Sequence, residues 1–137
     1  MVGGWMMRAV RTNMHSAFQL NLNTEHDVKT WQQLPKMKNG RATHGCTSSV
    51  YKVSLCCAIS NHLLPLQNKF QDNTPVVIVA GGMDFNQRPI SSVEVLILDM
   101  NPRWFSLGDL IKPRSWYPGI AILGNRLIVA SGKVLFG

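Results

Sequence analysis

The residue types able to do chemistry are few in this 137-residue chain, and their spacing is poor for catalysis. The four histidines and three cysteines, with Cys56 and Cys57 adjacent, lack the paired spacing of a zinc site, and an odd cysteine count is no disulfide framework. Asp84 and Asp99 flank an apolar stretch in turn positions, where aspartate commonly caps the backbone. No nucleophile elbow is present. The sequence therefore predicts no enzyme activity, no metal and no cofactor.

Composition and charge narrow the class of protein further. The chain is 45% apolar and 15% charged, which is typical of a globular domain. Its 14 Lys+Arg against 7 Asp+Glu give a net charge of +7, which allows attraction to acidic partners or is merely scattered solvated charge. No basic run, membrane-length apolar run or secretory signal is visible. We therefore expect a cytoplasmic protein with no nucleic-acid or membrane partner.

A double glycine after an apolar stretch marks an internal repeat. The sequence reads VGGW at 2–5, VAGG at 79–82 and VASG at 129–132, and Gly82 and Gly132 are 50 residues apart. A period of this length is typical of repeats built from one four-stranded unit.

Other marks follow the glycines in a fixed order. A stretch in which apolar residues alternate with others comes first, then a tryptophan, then an arginine. Trp31 precedes Arg41 by 10 residues, and Trp104 precedes Arg114 by 10. Residues 76–107 are predicted to form three consecutive antiparallel strands. Val77 and Val79 should lie on one face of the sheet and Ile78 on the other, with Val93, Val95 and Ile97 sharing one face of the next strand.

The ordered set of arginine, apolar strand, Gly-Gly, alternating strand and tryptophan resembles the kelch repeat over nearly the whole chain. The resemblance implies an all-β fold, namely a partial kelch β-propeller of four-stranded antiparallel blades in an incomplete ring. The sequence departs from the family where Leu20, and Val95 or Leu96, replace the usual aromatic residue. It departs again where Ser131 replaces the first glycine of the third pair.

The resemblance divides the chain into three blades. Residues 1–40 would hold strands b, c and d of one blade, 41–112 a complete blade, and 113–137 strands a and b of another. A propeller closes with roughly four to eight blades, so we expect a fragment that self-associates through open blade edges.

One stretch, residues 53–71, fits no strand of the repeat. Removing it brings the spacing of the two motif tryptophans from 73 to 54 residues, near the period. Three interpretations stay open: a retained short intron, a long loop between strands a and b, and a functional lid.

The resemblance assigns roles to two sets of residues. The first set shapes the blades, through glycines that turn the backbone or permit close approach and tryptophans that pack blade on blade. The second set lies on the loops at one end of a propeller and includes the residue types that dominate binding hot spots. The structural set is Gly3, Gly4, Trp31, Gly81, Gly82, Trp104 and Gly132, and the binding set is Arg41, His44, Arg88, Arg114, Trp116 and Tyr117. Alternatively, Arg41 and Arg114 are framework residues buried between blades.

The predicted function is therefore protein–protein interaction, with an acidic peptide segment as the expected partner. Kelch-like substrate adaptors of cullin-RING ubiquitin ligases are the family members that the chain resembles most. A cytoskeletal, actin-binding kelch protein is one alternative, and a fragment of an oxidase or sugar-processing enzyme on the same fold is another.

Overall fold

The computed structural model describes residues 15–20, 30–50, 73–124 and 126–133, and these form eight β-strands in three sheets. All strand pairs are antiparallel: β1 pairs with β2, β3 to β6 form one sheet in chain order, and β7 pairs with β8. The described residues contain no α-helix, hence none long and apolar enough to cross a membrane. The all-β fold class is confirmed. The strands are β1 (Ala17–Leu20), β2 (Trp31–Leu34), β3 (Gly45–Val50), β4 (Pro75–Ala80), β5 (Val93–Ile97), β6 (Arg103–Ser106), β7 (Gly119–Leu123) and β8 (Arg126–Ala130).

The three strands predicted within residues 76–107 are present as β4, β5 and β6, with the predicted antiparallel pairing. Val76, Ile78 and Ala80 belong to one buried cluster, whereas Val77 and Val79 belong to the cluster on the opposite face of the sheet. The predicted alternation of β4 is therefore confirmed, as is the shared face of Val93, Val95 and Ile97 in β5. Both faces of β4 and β5 are covered by other side chains, which explains why the sequences of these two strands are almost continuously apolar.

The core consists of two layers, one on each face of the four-stranded sheet. On one face, Leu96 and Trp104 pack with Leu34 and Met37 from β1-β2 and the segment after it. On the other face, the apolar residues of β4 and β5 are covered by β7-β8. The sheets thus stack in chain order, and each layer is closed by side chains from two sheets.

Two glycines end strands at equivalent points of the repeat. Gly82 has φ 100° and Gly132 has φ 79°, a conformation that side chains rarely adopt. A Cβ at Gly82 would lie 2.6 Å from the Ala42 carbonyl oxygen, and one at Gly132 would lie 2.8 Å from the Ser115 carbonyl oxygen. At both glycines, then, the backbone has positive φ and a neighbouring carbonyl oxygen approaches closely. Gly81 also has positive φ, at 63°, as does Ser131 in its place in the next copy.

The two motif tryptophans, Trp31 and Trp104, differ in exposure, contrary to the prediction that both pack one sheet on another. Trp104 is 6% exposed and donates its indole N–H to the Pro35 carbonyl oxygen at 2.8 Å. Trp31 is 59% exposed, because no other described sheet lies against the outer face of β1-β2. Gly3 and Gly4, and the stretch 53–71, lie outside the described residues.

Candidate functional site

Four chain segments meet at one end of the sheets, and backbone hydrogen bonds join them. Ala42 and Met83 exchange two such bonds, of 3.0 and 2.9 Å. The Gly82 amide donates to the Arg114 carbonyl oxygen at 2.7 Å, and the Tyr117 amide donates to the Thr43 carbonyl oxygen at 2.8 Å. The structure therefore brings together the loops that the sequence assigned to one end of a propeller. We call this the loop end, comprising residues 40–44, 81–90, 114–118 and 131–133.

Trp116 and Tyr117 are two large, exposed side chains of the loop end. They are 54% and 69% exposed, and both have positive φ, 59° and 55°. Large side chains seldom adopt this backbone conformation, which costs on the order of 1–3 kcal/mol per residue and persists only where the surroundings enforce it. Two consecutive aromatic residues are thus held in a strained backbone and presented to solvent.

The anchor that enforces this conformation is the residue before the pair. Ser115 is fully buried, exchanges backbone hydrogen bonds of 3.0 and 2.8 Å with Lys133, and donates its hydroxyl to the Lys133 carbonyl oxygen at 3.1 Å. The Tyr117 amide is held by Thr43 from the other side. The backbone of the pair is therefore fixed at both ends, so that little backbone entropy remains to be lost if this loop is ordered further.

A tight turn places Phe85 and Arg88 at the same end. The Asp84 carboxylate accepts hydrogen bonds from the Asn86 and Arg88 amides, both at 2.8 Å, and the Arg88 carbonyl oxygen accepts from the Asp84 amide. Phe85 is 56% exposed and Arg88 is exposed. The turn role expected for Asp84 is seen, and its effect is to present one aromatic and one basic side chain.

Arg41, predicted as a binding residue, lies in the interior instead. It is fully buried and forms a 2.5 Å ion pair with Glu94, which is also fully buried. Its guanidinium donates to the Gly81 and Ser92 carbonyl oxygens at 3.1 and 2.8 Å and to the Ser92 hydroxyl at 2.8 Å. Burial lowers the pKa of the Arg41 guanidinium, and Glu94 opposes that effect. Arg41 is therefore a buried residue of the interior rather than an exposed binding residue.

Glu94 is the residue that the sequence reasoning missed. Its carboxylate accepts from Arg41 and from the backbone amides of Lys38 and Asn39, at 2.7 and 3.0 Å. A single acid within the apolar strand VEVLI was the available signal, because an ionised carboxylate on a buried strand requires a cationic partner. Through these hydrogen bonds Glu94 connects β5 to residues 38–39, which follow β2.

Arg114 and His44 complete the predicted set. Arg114 is half-buried, and its Nη1 donates to the Ser131 carbonyl oxygen at 2.7 Å, as Nη1 of Arg41 donates to that of Gly81. His44 is half-buried beside Gly82, whose added Cβ would lie 3.0 Å from the Cβ of His44. Of the binding set, the structure therefore exposes Arg88, Trp116 and Tyr117 and places His44 and Arg114 partly below the surface.

Within the described part of the chain, no group of three or more histidine, cysteine or acidic residues could hold a metal ion. A scan against models of protein families finds no match to this chain, and a search of curated proteins finds none either.

Proposed function

We propose that this chain is part of a kelch-type β-propeller and that it recognises a protein partner through its loop end. The observation that carries the proposal is the Trp116–Tyr117 pair, two exposed aromatic rings on a strained and anchored backbone. Aromatic residues dominate binding hot spots because they bury large areas on contact. Strained backbone maintained by its surroundings is concentrated at functional sites.

The repeat geometry supports the kelch part of the proposal. Strands β3 to β6 form a four-stranded sheet in chain order, as a propeller blade does. The glycine contacts and the arginine hydrogen bond of this sheet recur around β7 and β8, as expected for a second blade. Recognition of a substrate protein for a cullin-RING ubiquitin ligase is the form of this function that the resemblance favours.

The partner we propose is an acidic peptide segment. Arg88 is exposed on the turn at the loop end, and the chain carries a net charge of +7. Arginine binds carboxylates through paired, charge-assisted hydrogen bonds, and a basic surface raises the rate of encounter with acidic partners. An acidic segment with one apolar side chain would use both the cation and the rings.

Selection of a random peptide library on the immobilised chain tests this function. We expect the enriched sequences to be acidic and the joint substitution Trp116→Ala and Tyr117→Ala to weaken their binding at least tenfold. Trp31→Ala is the matched control, because Trp31 is equally exposed but lies on β2. Equal binding by the double variant and the control would refute the proposal.

A further inference from the structure

The loop that carries the aromatic pair is one residue longer than its counterpart in the preceding unit. Each loop is closed by two backbone pairs, which are Ala42–Met83 and Gly45–Ala80 in the first unit and Ser115–Lys133 and Gly119–Ala130 in the second. The partner residues of these pairs have the same spacing in both units. On the loop side, residues 43 and 44 lie between the paired positions of the first unit, but residues 116–118 lie between those of the second. The second loop must therefore accommodate an extra residue, and we call residues 115–118 the aromatic loop.

The extra residue is accommodated by backbone strain. In the first unit's loop only Thr43 has positive φ, at 52°, whereas Trp116 and Tyr117 both have it, at 59° and 55°. Tyr117 also directly precedes Pro118, and a proline ring favours extended backbone at the residue before it. Tyr117 is therefore strained twice, by its own Cβ and by the ring that follows it.

One backbone hydrogen bond joins the strained pair to the preceding unit within the described part of the chain. The Tyr117 amide donates to the Thr43 carbonyl oxygen, and Thr43 is itself strained. The buried hydroxyl of Thr43 has no hydrogen-bond partner among the described residues. Because strained residues and an unpartnered hydroxyl together cost as much as one hydrogen bond gains, a form with this bond open lies close in free energy.

We propose that the aromatic loop is a two-state switch. In the observed form the Tyr117 amide binds Thr43, and both aromatic rings are exposed side by side. In the second form this bond is open and Tyr117 adopts the extended backbone that Pro118 favours, which redirects its ring away from that of Trp116. The observed form binds the partner, so binding shifts the population toward it. This regulation of binding rests on the function proposed above, whereas the exchange takes place in the free chain.

Two substitutions should shift the populations in opposite directions while leaving both rings in place. Pro118→Ala removes the restriction on Tyr117 and retains a Cβ at this buried position, so the observed form should be favoured. Ser115→Ala removes the hydroxyl bond to the Lys133 carbonyl oxygen, so the observed form should be disfavoured. Pro113→Ala is the matched control, because Pro113 is an exposed proline of the same segment that lies outside the aromatic loop.

Amide hydrogen exchange of the full chain, followed by NMR, measures the opening of the bond. The reference is the Met83 amide, which donates to the Ala42 carbonyl oxygen at the same end of the sheets. The Tyr117 amide should exchange roughly tenfold or more faster than that of Met83. Pro118→Ala should lower the ratio of the two rates roughly threefold, Ser115→Ala should raise it roughly threefold, and Pro113→Ala should leave it unchanged.

Equal protection of the two amides would overturn the proposal, as would shifts of the same sign in Pro118→Ala and Ser115→Ala. A saturating amount of an acidic peptide selected on the chain should slow exchange of the Tyr117 amide roughly tenfold. A peptide that binds without slowing it would overturn the regulatory role. Opposite shifts in a chain that selects no peptide would support the switch and refute only the function proposed above.

Discussion

Arg41 and Arg114 occupy the same position in two copies of one repeat, but their surroundings differ. Both donate Nη1 to the carbonyl oxygen of the residue that directly follows a strand, Gly81 after β4 and Ser131 after β8. Arg41 is then enclosed by Glu94 of β5 and by Ser92 just before that strand, whereas Arg114 is half-buried and lines a cleft beside β8. The comparison indicates that the repeat determines where the guanidinium lies, and that Glu94 and Ser92 determine whether it is enclosed.

The largest effect should come from the buried ion pair. Glu94→Gln leaves the charge of Arg41 buried without its counterion, so we expect a loss of about 3–5 kcal/mol in the free energy of unfolding. Arg114→Gln removes one hydrogen bond of a half-buried side chain and should cost at most about 1 kcal/mol. Urea denaturation of both variants measures the two losses. Similar losses would contradict the distinction between the enclosed and the open arginine.

The two tryptophans give a second matched pair. Trp104→Ala removes a buried ring and its hydrogen bond to Pro35 and should cost about 3 kcal/mol or slightly more. Trp31→Ala changes a residue at the same repeat position that is mostly exposed, and the expected cost is within about 0.5 kcal/mol. If thermal melts gave Trp31→Ala a loss as large as that of Trp104→Ala, the assignment of Trp31 to an uncovered face would be wrong.

The smallest effect should come from deleting residues 53–71. Val50 and Pro75 are paired at the ends of β3 and β4, so residues 51, 52 and 72–74 would suffice to connect the strands. Shortening a loop lowers its closure entropy by roughly 0.6 kcal/mol per halving, so stability should be equal or up to about 1 kcal/mol higher. A loss of about 2 kcal/mol or more in the urea-derived free energy would show that leucines of this stretch pack in the core. Such a loss would also contradict its interpretation as a retained intron.

Features with a fixed period were accessible from the sequence, whereas features set by a distant neighbour were not. The alternation of Val77 and Ile78 predicted two faces, and the glycine after β4 predicted the backbone reversal, because both depend on local geometry. The burial of Arg41 depends on Glu94, 53 residues away along the chain, and that pairing has no local signature.

The candidate site divides in the same way. The resemblance, together with the residue types, predicted Trp116 and Tyr117 as binding residues, and both side chains are exposed. Their positive φ could not be predicted, because aromatic residues rarely have it and it results here from the anchoring of Ser115 and the bond from Tyr117 to Thr43. The unequal exposure of Trp31 and Trp104 likewise depends on which sheets are stacked, which the repeat period does not encode.

The central claim is that Arg41 and Arg114 are equivalent residues, and that Arg41 is enclosed because β5 lies beside it, whereas no equivalent strand is present beside Arg114 among the described residues. Replacing residues 134–137 by a second copy of residues 84–112 supplies equivalents of β5 and β6, and folding of the added part is checked by an increased urea m-value. In this longer chain Arg114→Gln should cost about 3 kcal/mol or more, compared with at most about 1 kcal/mol in the original chain. A cost below about 1 kcal/mol in both chains, with the added strands folded, would contradict the claim.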